Sequence, residues 1–185
     1  YIIPVQIKII SASMKINNPG AHIDQMVRQT RVHHVQLSMM ADQKASMLLT
    51  VCAIIIPLTA HFLNNPLYSP VALVLICFCV LTMFLAIYTA MPSLRRQGKP
   101  DVASPSFNLL FFGDFYRLKL EDYEKLMEDL SNDHSKVYEA QIREIYHLGQ
   151  YLINHKYRFL RLAYLSFLCG ILSSSTVGII IYFLH

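Results

Sequence analysis

The stretch that most constrains this chain runs from residue 45 to residue 91. It reads ASMLLTVCAIIIPLTAHFLNNPLYSPVALVLICFCVLTMFLAIYTAM and contains no Lys, Arg, Asp or Glu. A helix needs about 20 mostly apolar residues to cross a hydrocarbon core of ~30 Å. The stretch is long enough for two crossings, and Asn64-Asn65-Pro66-Leu67-Tyr68-Ser69-Pro70 divides it, because Asn, Pro and Ser at that density end one helix and start another. The reading is a membrane hairpin with spans at 45–63 and 71–91. The competing reading, a buried helical pair in a soluble protein, suits the length and the absence of charge poorly. A third uncharged run, 162–184, is again long enough to span. An all-α integral membrane protein with three transmembrane helices is expected.

Charge placement gives the topology. All 16 Lys and Arg lie at or before Lys44 or between Arg95 and Arg161. By the positive-inside rule the N-terminus and residues 92–161 are cytoplasmic, the 64–70 loop and the C-terminus external. The chain then divides into an N-terminal extension (1–22, disordered or non-native), a cytoplasmic helix leading into the hairpin (23–91), a cytoplasmic effector or sensor region (92–161) and the third span (162–184). The 4 cysteines all lie in the spans and read as small hydrophobes.

From residue 23 to 63 there is no Gly, and Pro57 is the one Pro. One helix of ~60 Å is expected there, from the 1.5 Å rise per residue, kinked at Pro57. No Pro follows Lys136, so a second long helix should rise from the cytoplasm into the third span. These two elements are expected to pair as long antiparallel helices. Between them, Glu121-Asp122-Tyr123-Glu124 has the acidic bias of a helix first turn, and 131–135 reads as a turn and N-cap.

No catalytic constellation is present. There is no Gly-rich phosphate loop, no meaningful nucleophile and base order, and no zinc spacing. The tandem His33-His34 points its rings about 100° apart on a helix, and His147 with His155 is explained by an aqueous helix. The chain therefore does not read as an enzyme. Asp42 and Lys44 mark where the first helix enters the membrane. Lys44 should reach up to the headgroups, whereas an acid so near a bilayer needs a partner. Gly170, Ser173, Ser174, Ser175, Thr176 and Gly178 in the third span fit either self-association or tight bundle packing.

Two segments admit a ligand. Arg95 and Arg96, with Lys99, fit anionic headgroups or a ligand phosphate. Residues 107–117, with five aromatics between Phe107 and Tyr116, fit either a loop packed on the bundle or a pocket in which aromatics stack a flat ring while Asn108, Asp114 and Arg117 supply hydrogen bonds and charge.

The sequence resembles the transmembrane effectors of Pycsar antiphage systems. Three stretches carry the likeness: His33-His34-Val35-Gln36-Leu37-Ser38-Met39-Met40-Ala41-Asp42-Gln43-Lys44-Ala45, then Phe107-Asn108-Leu109-Leu110-Phe111-Phe112-Gly113-Asp114-Phe115, then Gln141 to Gly149 and on to Lys156-Tyr157-Arg158. The resemblance covers residues from about 25 to the end. It implies a bacterial inner-membrane protein activated by a cyclic pyrimidine mononucleotide (cCMP or cUMP) from a partner cyclase. It also implies impairment of the membrane and abortive infection, with no cofactor beyond that activator. Partners would be the nucleotide, membrane lipids and further copies of the chain; nothing points to nucleic acid. A cyclic mononucleotide needs a cation for its phosphodiester and a stacking face or amide for its base. Arg95, Arg96 and Arg117 are candidates for the first, Phe112, Tyr116 and Asn108 for the second, with Asp114 beside them. The alternative is a non-catalytic membrane anchor whose cytoplasmic helices recruit a protein partner.

Overall fold

The computed structural model of the chain describes residues 14–92, 102 and 107–184. Among them there are helices and turns and no strand. Helix α1 spans Ala21–Ala60 and tightens into a 3-10 turn, His61–Asn64. Helix α2 spans Ser69–Ala90, α3 is the short Phe112–Phe115, α4 is Leu120–Ser131 and α5 is His134–Tyr151. A π-helical segment, Leu152–Tyr157, joins α5 to α6, Arg158–Leu184. Three helical runs are long and apolar enough to cross a membrane: Ala21–Asn64, Ser69–Ala90 and His134–Leu184. The N-terminal extension lies outside the described residues up to residue 13, and α1 begins at Ala21 with Pro57 inside it.

The chain forms two compact units. One holds the start of α1 through Gln29, then α3, α4 and α5 through Tyr146; the other holds α1 from Thr30, α2, α5 from His147, the π segment and α6.

The second unit is the apolar bundle. Buried positions of α2 are Ala72, Cys79, Thr82, Ala86 and Thr89, and those of α6 are Leu160, Ala163, Ser166, Gly170 and Ser174. Both sets step by three, four or seven, the spacing of a helix seam that meets a partner. From α1, Ala41, Ala45 and Leu48 join the same cluster as Ala86, Leu160 and Ala163. The seam is made of small side chains. In lipid, helices gain nothing from hydrophobic exclusion and associate by close packing, which small residues permit. The Thr82 and Thr89 hydroxyls donate to Phe78 O (2.8 Å) and Leu85 O (2.9 Å) on their own helix, so the apolar interior carries few unmet donors. The outer faces of α2 and α6 carry large apolar side chains such as Leu81, Phe84, Leu168 and Leu172, suited to lipid.

The direction of the helices corrects one expectation. Helix α2 runs antiparallel to α6: the Tyr88 ring meets that of Phe159 at a tilt of 55° with centroids 4.4 Å apart, Phe78 lies against Gly170, and Val71 lies near Gly178. Helix α1, however, runs parallel to the last helical run, with His34 beside Gly149 and Asp42 beside Lys156. The expected antiparallel pairing is wrong for a simple reason. Two spans separated by one intervening span must cross the bilayer in the same sense. Part of the third span's stripe of Gly and Ser is also accounted for, while Ser175 and Thr176 are exposed. Gly170 and Ser174 are buried against α2, and the Ser174 hydroxyl donates to Val71 O at 3.3 Å. Of the two readings of that stripe, tight bundle packing is what Gly170 and Ser174 do.

In the first unit, α4 and α5 form a helical pair turned at Asp133. Its carboxylate accepts Ser135 N–H at 2.9 Å, capping α5. The exposed Lys136–Asp129 pair at 3.0 Å adds little, as exposed ion pairs do. The Tyr138 hydroxyl, on a buried side chain, donates to Asp24 on α1 at 2.5 Å. That hydrogen bond, then burial, raises the Tyr138 pKa above its ordinary 10.0. A group whose folded pKa is raised contributes fully below its ordinary pKa and loses that contribution as pH rises through the raised value. An absorbance titration should therefore show one tyrosine ionising above the ordinary range, and Tyr138→Phe should remove that step. A titration unchanged in Tyr138→Phe would show that the bond does not persist in solution.

Candidate functional site

Two arrangements of side chains stand out, one in each unit. In the bundle, the carboxylate of Asp42 accepts two hydrogen bonds from Lys156 Nζ, at 2.7 and 2.6 Å. The Lys156 side chain is 10% exposed and that of Asp42 41%. One turn below, Tyr157 Oη donates to Leu37 O at 3.2 Å. Removing a lysine from water costs several kcal/mol unless a close, hydrogen-bonded acid compensates it. Here the acid is Asp42, a few residues before the charge-free part of α1. The partner that Asp42 demanded is thus Lys156, whereas Lys44 is exposed.

The π segment makes this pairing possible. Leu152 and Lys156 are both buried, and so is Leu160 at the start of α6. Steps of four in succession drift off one face of an α-helix, by about 40° per step from 3.6 residues per turn. A wider π turn holds them in line, and such turns recur at functional positions. Sequence reasoning placed Lys156 on a helix but had no signal for its direction, because the direction depends on this widening.

In the other unit, the loop before α4 is closed by its own polar groups. Asp114 is buried (9% exposed) and accepts Asn108 N–H at 2.9 Å. Asn108 Oδ1 accepts Leu110 N–H at 3.0 Å. Gly113 leaves room for the Phe111 ring, which a Cβ there would strike. The Phe115 ring meets Tyr123 of α4, with centroids 4.8 Å apart, and ties the loop to that helix. Asn108 and Asp114 therefore spend these polar groups on holding the loop. What the loop displays is Phe112, Tyr116 and Arg117. Phe112 is 60% and Tyr116 57% exposed. Arg117 Nε donates to Tyr116 Oη at 2.7 Å, and its guanidinium lies 5.1 Å from the Tyr116 ring centroid. Arg95 and Arg96 lie outside the described residues.

Among the described residues, no group of three or more His, Cys, Asp and Glu side chains could hold a metal ion. Comparison with curated proteins and with solved structures gave no match. The family model of the Pycsar effector protein domain, PycTM, matches residues 25–184. That range takes in all three membrane-capable runs almost entirely, the Asp42–Lys156 pair and the 107–117 loop. The chain therefore belongs to the Pycsar effector protein family, as a membrane protein of antiphage defence.

Proposed function

We propose that the protein responds to a cyclic pyrimidine mononucleotide, cCMP or cUMP, made by a partner cyclase, and then impairs the inner membrane of the infected cell. In this reading α1 and residues 92–161 are cytoplasmic where they leave the membrane, and the response needs no catalysis by this chain. The observation that carries it is the display of Phe112, Tyr116 and Arg117 on a braced loop. Exposed aromatic rings offer a stacking face for a base, and a guanidinium is the group suited to a phosphodiester. Family membership supports the class of ligand. Arg95 and Arg96 remain the second candidate for the phosphate, with Asn108 and Asp114 shaping the loop.

Calorimetric titration of the detergent-purified protein with cCMP, cUMP, cAMP and cGMP tests the ligand. Saturable binding of one pyrimidine nucleotide is expected. Tyr116→Ala should weaken it by about 1–3 kcal/mol, the contribution of one base stacked on an aromatic ring, and Arg117→Ala should weaken it for every base alike. No binding of any of the four nucleotides would overturn the sensor reading. Dye release from liposomes carrying the protein, on adding the bound nucleotide, tests the membrane step. Binding without release would leave the chain as an anchor.

A further inference from the structure

One side of α6 joins two cations to an apolar stripe. Arg158, Arg161, Leu165, Leu168 and Leu172 follow one another in steps of three and four, so they share one face of the helix. That face lies opposite Leu160, Ala163, Gly170 and Ser174, the positions buried in the bundle. All five residues of the stripe are exposed. Arg161 is the last charged residue before the charge-free run, so the two arginines stand at the mouth of the span and the leucines lie within it.

The chain supplies these arginines with no carboxylate. In the unit that holds the bundle, Thr30–Ser93 with His147–His185, Asp42 is the one Asp or Glu. Its carboxylate is taken by Lys156. Among the described residues no ion pair includes Arg158 or Arg161. Residues three apart on a helix have Cβ atoms about 5–6 Å apart, and like charges so placed repel. One anion set between the two guanidiniums relieves that repulsion, and phosphate is the anion whose oxygens match parallel guanidinium N–H donors.

Depth selects the source of the phosphate. Along α6 the stripe reads cation and then hydrocarbon, in the order in which a lipid molecule presents its head and its chains. A soluble phosphate would use the arginines alone. We infer that Arg158 and Arg161 hold the headgroup phosphate of one anionic phospholipid, whose acyl chains lie along Leu165, Leu168 and Leu172. Lys44, also exposed, is a lone cation at the entry of α1 and offers no such fork.

Native mass spectrometry of the full chain in detergent, with lipid added, tests the site without cyclic nucleotide, so its outcome is independent of the ligand reading above. The probes are dioleoyl phosphatidylglycerol, which is anionic, and dioleoyl phosphatidylcholine, which has the same chains and no net charge. A basic residue near an anionic surface contributes about fivefold in binding, so the first phosphatidylglycerol should bind roughly 25-fold more tightly than phosphatidylcholine. Arg158→Gln and Arg161→Gln should each lose about fivefold of that preference, and the double variant should bind the two lipids alike. Lys44→Gln should bind phosphatidylglycerol as wild type does. Inorganic phosphate or cCMP added in excess should leave the lipid bound. Equal binding of the two lipids by wild type would overturn the inference whatever the variants do. A preference that survives the double variant, or that Lys44→Gln lowers as much as Arg158→Gln, would overturn it in favour of general attraction to the charged surface. Displacement by inorganic phosphate or cCMP would assign the arginines to a soluble phosphate instead.

Discussion

Asp42→Ala is expected to destabilise the bundle more than removal of both charges together. The single change leaves Lys156 buried beside an emptied site, its side chain 10% exposed and its acid gone. Breaking a buried pair from one side costs about 3–5 kcal/mol, and the partial exposure of Asp42 places this case near ~3 kcal/mol. Replacing both partners by apolar residues of similar size, Asp42→Leu with Lys156→Met, removes the desolvation cost along with the attraction and should fall within about 1 kcal/mol of wild type. Lys156→Ala should be milder than Asp42→Ala, because the carboxylate it strands is 41% exposed and can be hydrated. Thermal unfolding of the three variants in one detergent orders them. Asp42→Ala melting with wild type would show that the pair contributes nothing to the fold.

Gly170→Ala should be strongly destabilising for a single added methyl. A Cβ at Gly170 would sit 2.5 Å from Phe78 Cβ, the root of a side chain, so Phe78 cannot swing clear by a change of rotamer. Helices α2 and α6 must move apart along a seam of small residues whose contacts depend on close approach. Overpacking of this kind costs about 1–3 kcal/mol and occasionally more. Gly178→Ala is the control, since its added Cβ would meet Val71 at 3.9 Å, ordinary contact. A melting temperature lowered in Gly170→Ala and unchanged in Gly178→Ala would support the close α2–α6 packing. Equal effects would contradict it.

Much of this arrangement is legible in the sequence. Hydrocarbon admits few charges, so the runs without Lys, Arg, Asp or Glu fixed the spans, and Asn65 with Pro70 marked the turn between the first two. In the structure Asn65 Oδ1 accepts Leu67 N–H at 3.0 Å and α2 starts with Pro in its first turn. The need of Asp42 for a partner was also legible, because desolvation depends on depth alone. The identity of the partner was not, because the direction of Lys156 depends on a local change of helical pitch that leaves no mark in hydropathy. The parallel course of α1 and the final run followed from counting crossings, a global property that pairwise reasoning about long helices overlooked. For the 107–117 loop, aromatic density was visible, but the use of Asp114 as an internal acceptor for Asn108 N–H depends on the loop closing on itself.

The widened turn at Leu152–Tyr157 has a mechanical corollary. It acts as a phase shifter. A single residue more or less in the turn rotates everything beyond it by about 100°, so Gly170 and Ser174 keep station opposite α2 only while the turn stays wide. Deleting one residue there, or relaxing it to ordinary pitch, would swing the glycine seam toward lipid and bring leucines to the contact. The six residues that seat Lys156 thus also index the third span, as a single tooth sets the timing of a gear.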